Sequence, residues 1–463
     1  MNELFIKVHD RLPLFRIDDG DFMILYTPGN IVKLKKIEIN RLLTFIKKPE
    51  TIADRETRNI INNLLVKGGE AVSRWEQQRL VSFNPECLTI HAGSDCNLNC
   101  SYCYGRKDRA GIKTITGLPD LQIIKAAARY VAEKIKETGG RLTVVYHGSG
   151  EPTVHWTKLV ESFNVISSIS RYYNIPLFTY IATNSCLTAG QTDWLARNMN
   201  LICISFDGPA STRQHQREAY DGQYLPTEKV CDRIIRNGGL HEIRVTITSE
   251  TIREQEDIAR HIVEKMKPGS IRVEPVYLAG ENGFGEEDAD TFFSHFKLAR
   301  DFSGKHGVVM SYAGVRINEL HGTYCDVLRN NLRLIPGNKT VNCFCNMMDK
   351  PFNNTGVFNG NTPGSYLSPL ADEIKIKASR VPDECTSCIN VFHCSRGCPD
   401  FCILDNDITA TRQLNPFRCR LNQLIAVEKI RESATARESL FTGANPDTSS
   451  MIAGRRSAPV QGE

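Results

Sequence analysis

The stretch that decides the fold is Cys96-Asn97-Leu98-Asn99-Cys100-Ser101-Tyr102-Cys103-Tyr104. It follows directly on a strand-like run, Leu88 to His91. Three thiolates in one loop can hold three irons of a four-iron cubane, because thiolate is the usual ligand of such clusters. No fourth cysteine lies nearby, which leaves one iron open, much as catalytic metal sites keep a free position. The competing reading is a zinc site that borrows a fourth ligand from elsewhere, with His91 and Asp95 as candidates. His91 also suits plain packing at the strand end.

Working outward, the chain from Leu88 to Val276 alternates strand and helix. Strand-like runs are Leu88–His91, Leu142–Tyr146, Leu177–Ala182, Leu201–Phe206, Ile243–Thr248 and Ile271–Val276. Between them lie helical patterns such as Asp120 to Glu137, where Ile123, Ile124, Ala127, Tyr130, Val131 and Ile135 recur at helical spacing before Gly139-Gly140. Six βα units predict an α/β fold with a parallel sheet, open or curled into a partial barrel. Before them, residues 1–85 read as a small α+β unit. It has β-type runs at Phe22 to Tyr26 and Ile31 to Leu34 and helices at Lys36 to Ile46 and Glu56 to Val66, the second closed by Gly68-Gly69. The tail from about Phe441 to Glu463 is rich in Gly, Ala, Pro and Ser and is expected to be disordered.

Composition narrows the function classes. Among 463 residues, 41% are apolar, enough for a sizeable core, and the formal charge is only +4. No Lys/Arg block stands out, so nothing argues for nucleic acid or an anionic membrane surface as a partner. No run of 18 apolar residues occurs and the N-terminus has no apolar signal core, so a cytoplasmic, reduced protein is expected. The sixteen cysteines are then better read as ligands than as disulfides. Twelve of them fall in three groups, Cys96 to Cys103, Cys325 to Cys345 and Cys385 to Cys419. Cys87, Cys186, Cys203 and Cys231 read as plain buried thiols.

The C-x3-C-x2-C spacing with an aromatic residue before the last cysteine resembles the radical SAM superfamily. In that family the open iron is chelated by S-adenosylmethionine, whose reductive cleavage yields a 5′-deoxyadenosyl radical that takes hydrogen from the substrate. The strand ends agree. His147-Gly148-Ser149-Gly150-Glu151-Pro152 is similar to the family's Gly-Gly-Glu-Pro motif, with Ser149 in place of the first glycine. Thr183-Asn184-Ser185 is similar to its Thr-Asn-Gly, and Ser205-Phe206-Asp207-Gly208-Pro209 to the Ser-x-Asp-Gly-Pro of the SPASM subgroup. The next strand carries Arg244 and Thr246, and the sixth ends Glu274-Pro275-Val276. The resemblance implies that Tyr102, Tyr104, Gly148, Ser149, Gly150, Glu151, Asn184, Ser205, Asp207 and Arg244 bind the cofactor, with Gly148–Glu151 at its methionine amino group and Ser205 near its carboxylate.

Cys385-x2-Cys388-x5-Cys394-x3-Cys398, followed by Cys419, resembles a SPASM region holding two auxiliary four-iron clusters. By that resemblance Cys385, Cys388, Cys394 and Cys419 form one cluster, and Cys325, Cys343 and Cys398 belong to the other. Five residues separate Gly337 from Cys343 where the subgroup has four, and no cysteine stands among Arg316-Ile317-Asn318-Glu319. The fourth ligand of that cluster is open between Cys345, Cys402, water and substrate.

The resemblance therefore implies a partial (β/α)6 radical SAM barrel over residues 86–314, a cysteine-rich SPASM domain over 315–425 and a small α+β N-terminal domain over 1–85. The implied activity is that of a radical S-adenosylmethionine maturase modifying a ribosomally made peptide, for example by a crosslink. Its N-terminal unit loosely resembles a leader-recognition domain; a structural cap on the barrel is the other reading. A low-potential electron donor such as flavodoxin or ferredoxin is the implied redox partner. The alternatives are a sulfatase-type maturase oxidising a Cys or Ser, and a non-catalytic iron–sulfur or zinc protein. Asp326, Glu319 and Asp400 are acidic residues near cysteines to which no role is given.

Overall fold

The computed structural model describes residues 4–47, 55–80, 83–103, 115–209, 224–277, 283–320, 330–341, 354–357, 381–394, 402–403 and 413–441. The expectations for Tyr104, Cys325, Cys343, Cys345, Cys398, Asp326, Asp400 and the tail beyond Phe441 lie outside the described residues, as does the side chain of Cys402. The chain forms two compact units, Met1–Ser73 with Ser387–Ile389 and Ile425–Glu463, and Arg74–Thr386 with Asn390–Leu424.

The first unit begins with four antiparallel strands, β1 (Ile6–Lys7), β2 (Phe15–Asp19), β3 (Phe22–Thr27) and β4 (Asn30–Lys35), in the order β1-β2-β3-β4. Two-residue loops close the β2–β3 and β3–β4 hairpins, and Gly20 (φ 62°) and Gly29 (φ 90°) adopt the positive φ such tight turns need. Helices α1 (Lys36–Lys47) and α2 (Arg55–Leu80) follow. Leu14, Met23 and Leu25 of the sheet region pack with Ile39, Leu42, Ile46, Ile61 and Leu64 of the helices in one apolar core.

Helix α2 does not stop at Gly68-Gly69, as their pairing predicts, but runs through them to Leu80. Packing explains the exception. A Cβ on Gly68 would stand 3.1 Å from Thr27 Oγ1, so glycine there lets the helix lie close on the sheet.

The second unit is built on a ten-stranded sheet ordered β11-β10-β9-β8-β7-β6-β5-β12-β13-β14. The six expected strands are β5 (Cys87–Ile90), β6 (Leu142–Tyr146), β7 (Leu177–Thr183), β8 (Leu201–Ser205), β9 (His241–Ile247) and β10 (Ser270–Pro275), all mutually parallel. Two parallel strands that the pattern did not single out flank them, β11 (Val309–Tyr312) beside β10 and β12 (Asn331–Ile335) beside β5. Antiparallel β13 (Lys339–Val341) and β14 (Asn354–Val357) extend the β12 edge, and β15 (Cys402–Ile403) pairs separately with β16 (Gln413–Leu414). The fold is thus α/β with a mostly parallel sheet.

Crossover helices α3 (Leu121–Thr138), α4 (Trp156–Tyr173), α5 (Ala189–Asn198), α6 (Thr227–Arg236), α7 (Gln255–His261) and α8 (Asp288–Lys305) separate the strands, and α9 (Pro416–Phe441) ends the described chain. Asp120, expected inside α3, is its N-cap, with a carboxylate that accepts from Gln122 N at 2.8 Å. One face of α3 buries Ile124, Ala127, Val131 and Ile135. In β9 and β10 the alternation separates two kinds of residue. Ile243, Val245, Ile247, Ile271 and Val273 are buried. The intervening row carries Arg244, Thr246, Arg272 and Glu274, with Thr246 registered against Glu274.

The two helix glycines give opposite expectations. Gly69 has open space where a Cβ would sit, so Gly69→Ala should stabilise the protein by about 1 kcal/mol, the helix-propensity difference. Gly68→Ala should gain less or lose stability, because Thr27 must yield. Urea unfolding of the two variants checks both signs.

Candidate functional site

The ends of the parallel strands converge on a cavity of roughly 850 Å3, counted with its open mouth. The cysteine loop after β5 supplies Cys96, Cys100, Tyr102 and Cys103. The turn after β6 supplies His147, Gly148, Ser149, Gly150 and Glu151. Asn184 comes from the end of β7, Ser205 from β8, Arg244 and Thr246 from β9, and Glu274 to Tyr277 from β10 and just beyond. These are C-terminal strand ends, where α/β proteins gather their chemistry. Every described residue singled out as a cofactor contact lines this cavity except Asp207, which sits behind it.

The base of the cysteine loop is pinched shut. Ser94 N donates to Ile115 O at 2.7 Å, and Gly117 N donates to Asp95 Oδ2 at 2.7 Å, so the segments entering and leaving the loop are tied together. Gly93 (φ 60°) has Ile115 O 2.3 Å from where a Cβ would lie. The β6 turn grips the same base from the other side. Glu151 N donates to Asp95 O at 2.7 Å, and His155 Nε2 lies 2.8 Å from Asp95 Oδ2. A Cβ on Gly150 would stand 2.3 Å from Asp95 O, and one on Gly148 2.2 Å from His91 Nδ1. Glycine is expected here for close approach to a ligand; the structure shows that both glycines are needed for close approach to this chain's own loop and strand.

Three further ties order the cavity wall. Glu151 is buried; its Oε1 accepts from Thr153 N (3.1 Å) and Thr153 Oγ1 (2.7 Å), and its Oε2 from Asn184 N (2.7 Å). Burial raises its pKa, and these hydrogen bonds oppose the shift. Asn184 Nδ2 in turn donates to Asn97 Oδ1 at 2.7 Å and points to Cys96 Sγ at 3.7 Å. Tyr102 donates to the buried carboxylate of Asp207, whose other oxygen accepts from Thr246 N at 3.0 Å. Arg244 Nη1 lies 3.4 Å from His147 Nε2. Burial, then the Arg244 charge, holds His147 well below the usual imidazole range. Burial works against the Arg244 charge too, yet Tyr277 and Glu274 outweigh it and raise its pKa. Desolvation in the cavity, then Glu151, pushes the Cys96 thiol up to about 12, even though the residue itself opens to solvent.

The donor set fits the expected cluster. Cys96, Cys100 and Cys103 are the cysteines of this cavity lining, so three thiols and an open side face one space. No three His, Cys, Asp or Glu side chains among the described residues are drawn together as a site for a single metal ion; a cubane spaces its thiolates wider than one ion does. Of the third cysteine group, Cys385 closes a short 3-10 turn, Cys394 bridges to Val315, and Cys419 lies in the first turn of α9. Cys388 belongs to the first compact unit and the other three to the second. Cys203 and Cys231 are buried as expected of plain thiols, whereas Cys87 and Cys186 are half-buried. Glu319 pairs with Arg316 at 3.1 Å on the surface.

Asp95, His155 and Tyr277 are working parts of the site that sequence reasoning left out or weighed only as zinc ligands. Their signal was weak: a carboxylate preceding the first cysteine, a histidine four residues after the Glu, and an aromatic just past the sixth strand. Gly150→Ala should be worse than ordinary overpacking, costing about 3 kcal/mol, because backbone and not a side-chain tip must move. Thermal unfolding of the purified variant against wild type measures it; unchanged stability would show that the pinch is not tight.

No family model matches the chain. Over 179 residues it is 24% identical to the Cysteine-type anaerobic sulfatase-maturating enzyme of Clostridium perfringens strain ATCC 13124, and to that of strain 13. The match covers 38% of this chain and 47% of those relatives' length. Among solved structures, native anSMEcpe with bound AdoMet and Kp18Cys peptide superposes with a TM-score of 0.61 at 18% identity, over 75% of this chain and 99% of the other. Streptococcus suis SuiB bound to S-adenosylmethionine gives 0.50 at 16%, over 82% of this chain and 95% of the other. The chain is thus similar in fold to anSMEcpe and SuiB, and over 179 residues it is distantly similar in sequence to the Clostridium sulfatase-maturating enzymes.

Proposed function

We propose that the chain is a radical SAM enzyme that modifies a ribosomally made peptide. The observation that carries this is the meeting of Cys96, Cys100 and Cys103 with the Gly148–Glu151 turn, Asn184, Ser205 and Arg244 around one cavity at parallel strand ends. The strands that bear them would form the partial (β/α)6 barrel of the family, with β11 and β12 as additions at its edges.

In this reading Cys96, Cys100 and Cys103 hold the four-iron cluster, and Gly148, Ser149, Gly150 and Glu151 receive the amino end of S-adenosylmethionine. Ser205 and Arg244 face its carboxylate, a buried cation being suited to that task. Tyr102, fixed by Asp207, and Tyr104 contact the cofactor from the cysteine loop, and Asn184 braces that loop. The cluster and S-adenosylmethionine supply the one-electron chemistry, while the protein orients them and keeps water out. The pinch at Asp95 holds the base of that loop. The electron would come from flavodoxin or ferredoxin. Auxiliary clusters at Cys385, Cys388, Cys394 and Cys419, and at Cys325, Cys343 and Cys398, complete the set.

The anaerobically purified protein should then be brown and carry about 12 irons, four for each of three cubanes. Cys100→Ala should abolish 5′-deoxyadenosine formation under a low-potential reductant, and Cys388→Ala should retain part of it. Tightly bound zinc without sulfide would contradict the whole reading.

The small antiparallel unit supports recognition of a leader peptide. Strand β4 forms one edge of its sheet among the described residues, and an extended peptide can add to such an edge by main-chain hydrogen bonds. Binding of the precursor should slow amide exchange in Asn30–Lys35. Exchange that stays unchanged there while the precursor binds would leave the unit as a cap. The sulfatase-type reading has its own support, the sequence match to the Clostridium enzymes. Mass spectrometry of a cysteine-bearing sulfatase peptide after turnover decides it, since only that reading expects oxidation of the cysteine.

A further inference from the structure

The cysteine pattern singles out Cys419 and passes over its neighbour. Arg418 is the largest fully buried side chain among the described residues. A guanidinium so placed must spend its donors on protein acceptors. Its Nη2 donates to Pro275 O at 2.9 Å and Val276 O at 3.1 Å, and its charge stands 5.7 Å from the centre of the Tyr277 ring. Pro275, which ends β10, and Val276 and Tyr277 beyond it form the cavity wall next to Glu274.

The helix turn that delivers Arg418 is itself held hard. Asn415 caps it, accepting from Arg418 N at 3.1 Å, and proline follows at the first helical position. Phe417 stacks on Phe284 with ring centres 4.4 Å apart. Arg420 forks onto Asp290 of α8 at 3.0 and 3.1 Å. Asn422 accepts from Tyr312 at 2.8 Å and points its amide at Cys394 Sγ, 4.0 Å away. The turn that carries Cys419 is therefore joined through one side chain to the wall of the cavity.

We propose that Arg418 is a positioning residue for the reaction pocket, holding the Pro275–Tyr277 wall in place from the turn that bears Cys419. The inference deepens the radical SAM reading and rests on it for the identity of the ligand. Arg418 touches no reacting group; it acts through the carbonyls it fixes. Its planar fork is pre-organised for two acceptors, which a lysine ammonium reproduces only in part.

The test uses full-length, anaerobically reconstituted protein in three forms, wild type, Arg418→Met and Arg418→Lys. The first readout is amide exchange across residues 270–277, expected to quicken about tenfold in the Met variant as the wall opens locally, and less in the Lys variant. Exchange in β6 and β7 stays as in wild type. The second is equilibrium binding of S-adenosylmethionine, expected to weaken about tenfold in Arg418→Met, in line with losing a buried charged hydrogen bond, with partial rescue by lysine. Unchanged exchange over 270–277 overturns the clamp. Quickened exchange with unchanged cofactor affinity overturns the functional part, leaving Arg418 a structural residue. Should Arg418→Met fail to fold, Arg418→Lys and Arg418→Gln carry the same comparison. Wild-type protein that binds no S-adenosylmethionine refutes the enzyme reading instead, and the exchange result is then read by itself.

Discussion

Everything at the cavity hangs on one close contact, the β6 turn pressed against Asp95. The peptide of Gly150 lies so near the backbone of Asp95 that no side chain fits between. That contact brings Glu151 N onto Asp95 O and sets Glu151 where it can hold Asn184, which reaches the cysteine loop. A loop bearing three cysteines and few apolar residues cannot order itself by burial. Its shape comes from the hydrogen bonds at its base and from the strands that present them.

The polar groups of this base are nearly all matched in pairs. Asp95 accepts from two segments through one carboxylate oxygen, and Glu151 accepts three hydrogen bonds. Each unmatched buried group would cost on the order of 1–3 kcal/mol, so a change at one point of the ring is felt at the others. Arg418 extends the same logic to the far wall, where two backbone carbonyls depend on one guanidinium.

Much of this was legible in the sequence because strands that end in a site are marked twice, by apolar alternation and by the polar residues that break it. Leu142–Tyr146 was bounded as observed, and the other five strands to within two residues. Strands β11 and β12 escaped notice because Val309–Tyr312 and Asn331–Ile335 are short and carry polar residues within the run. Gly68-Gly69 misled because a glycine pair ends a helix only when nothing rewards its close packing, and Thr27 does. Asp95 was read only as a possible zinc ligand, and Arg418 was passed over, for a different reason. Their partners lie far along the chain, Gly117 and His155 for the one and Pro275 and Val276 for the other. Residue spacing cannot report contacts of that kind.

The alternation along β9 and β10 has a consequence for how such a protein can change over generations. One row of each strand is sealed in apolar packing, and the other, Arg244, Thr246 and Glu274, looks into the cavity. Neighbouring codons therefore answer to different selection. Replacing a cavity-facing residue retunes what the pocket accepts and leaves the sheet's foundation untouched. A lineage can thus wander among substrates while keeping the scaffold, which is how two proteins with few residues in common can share this architecture.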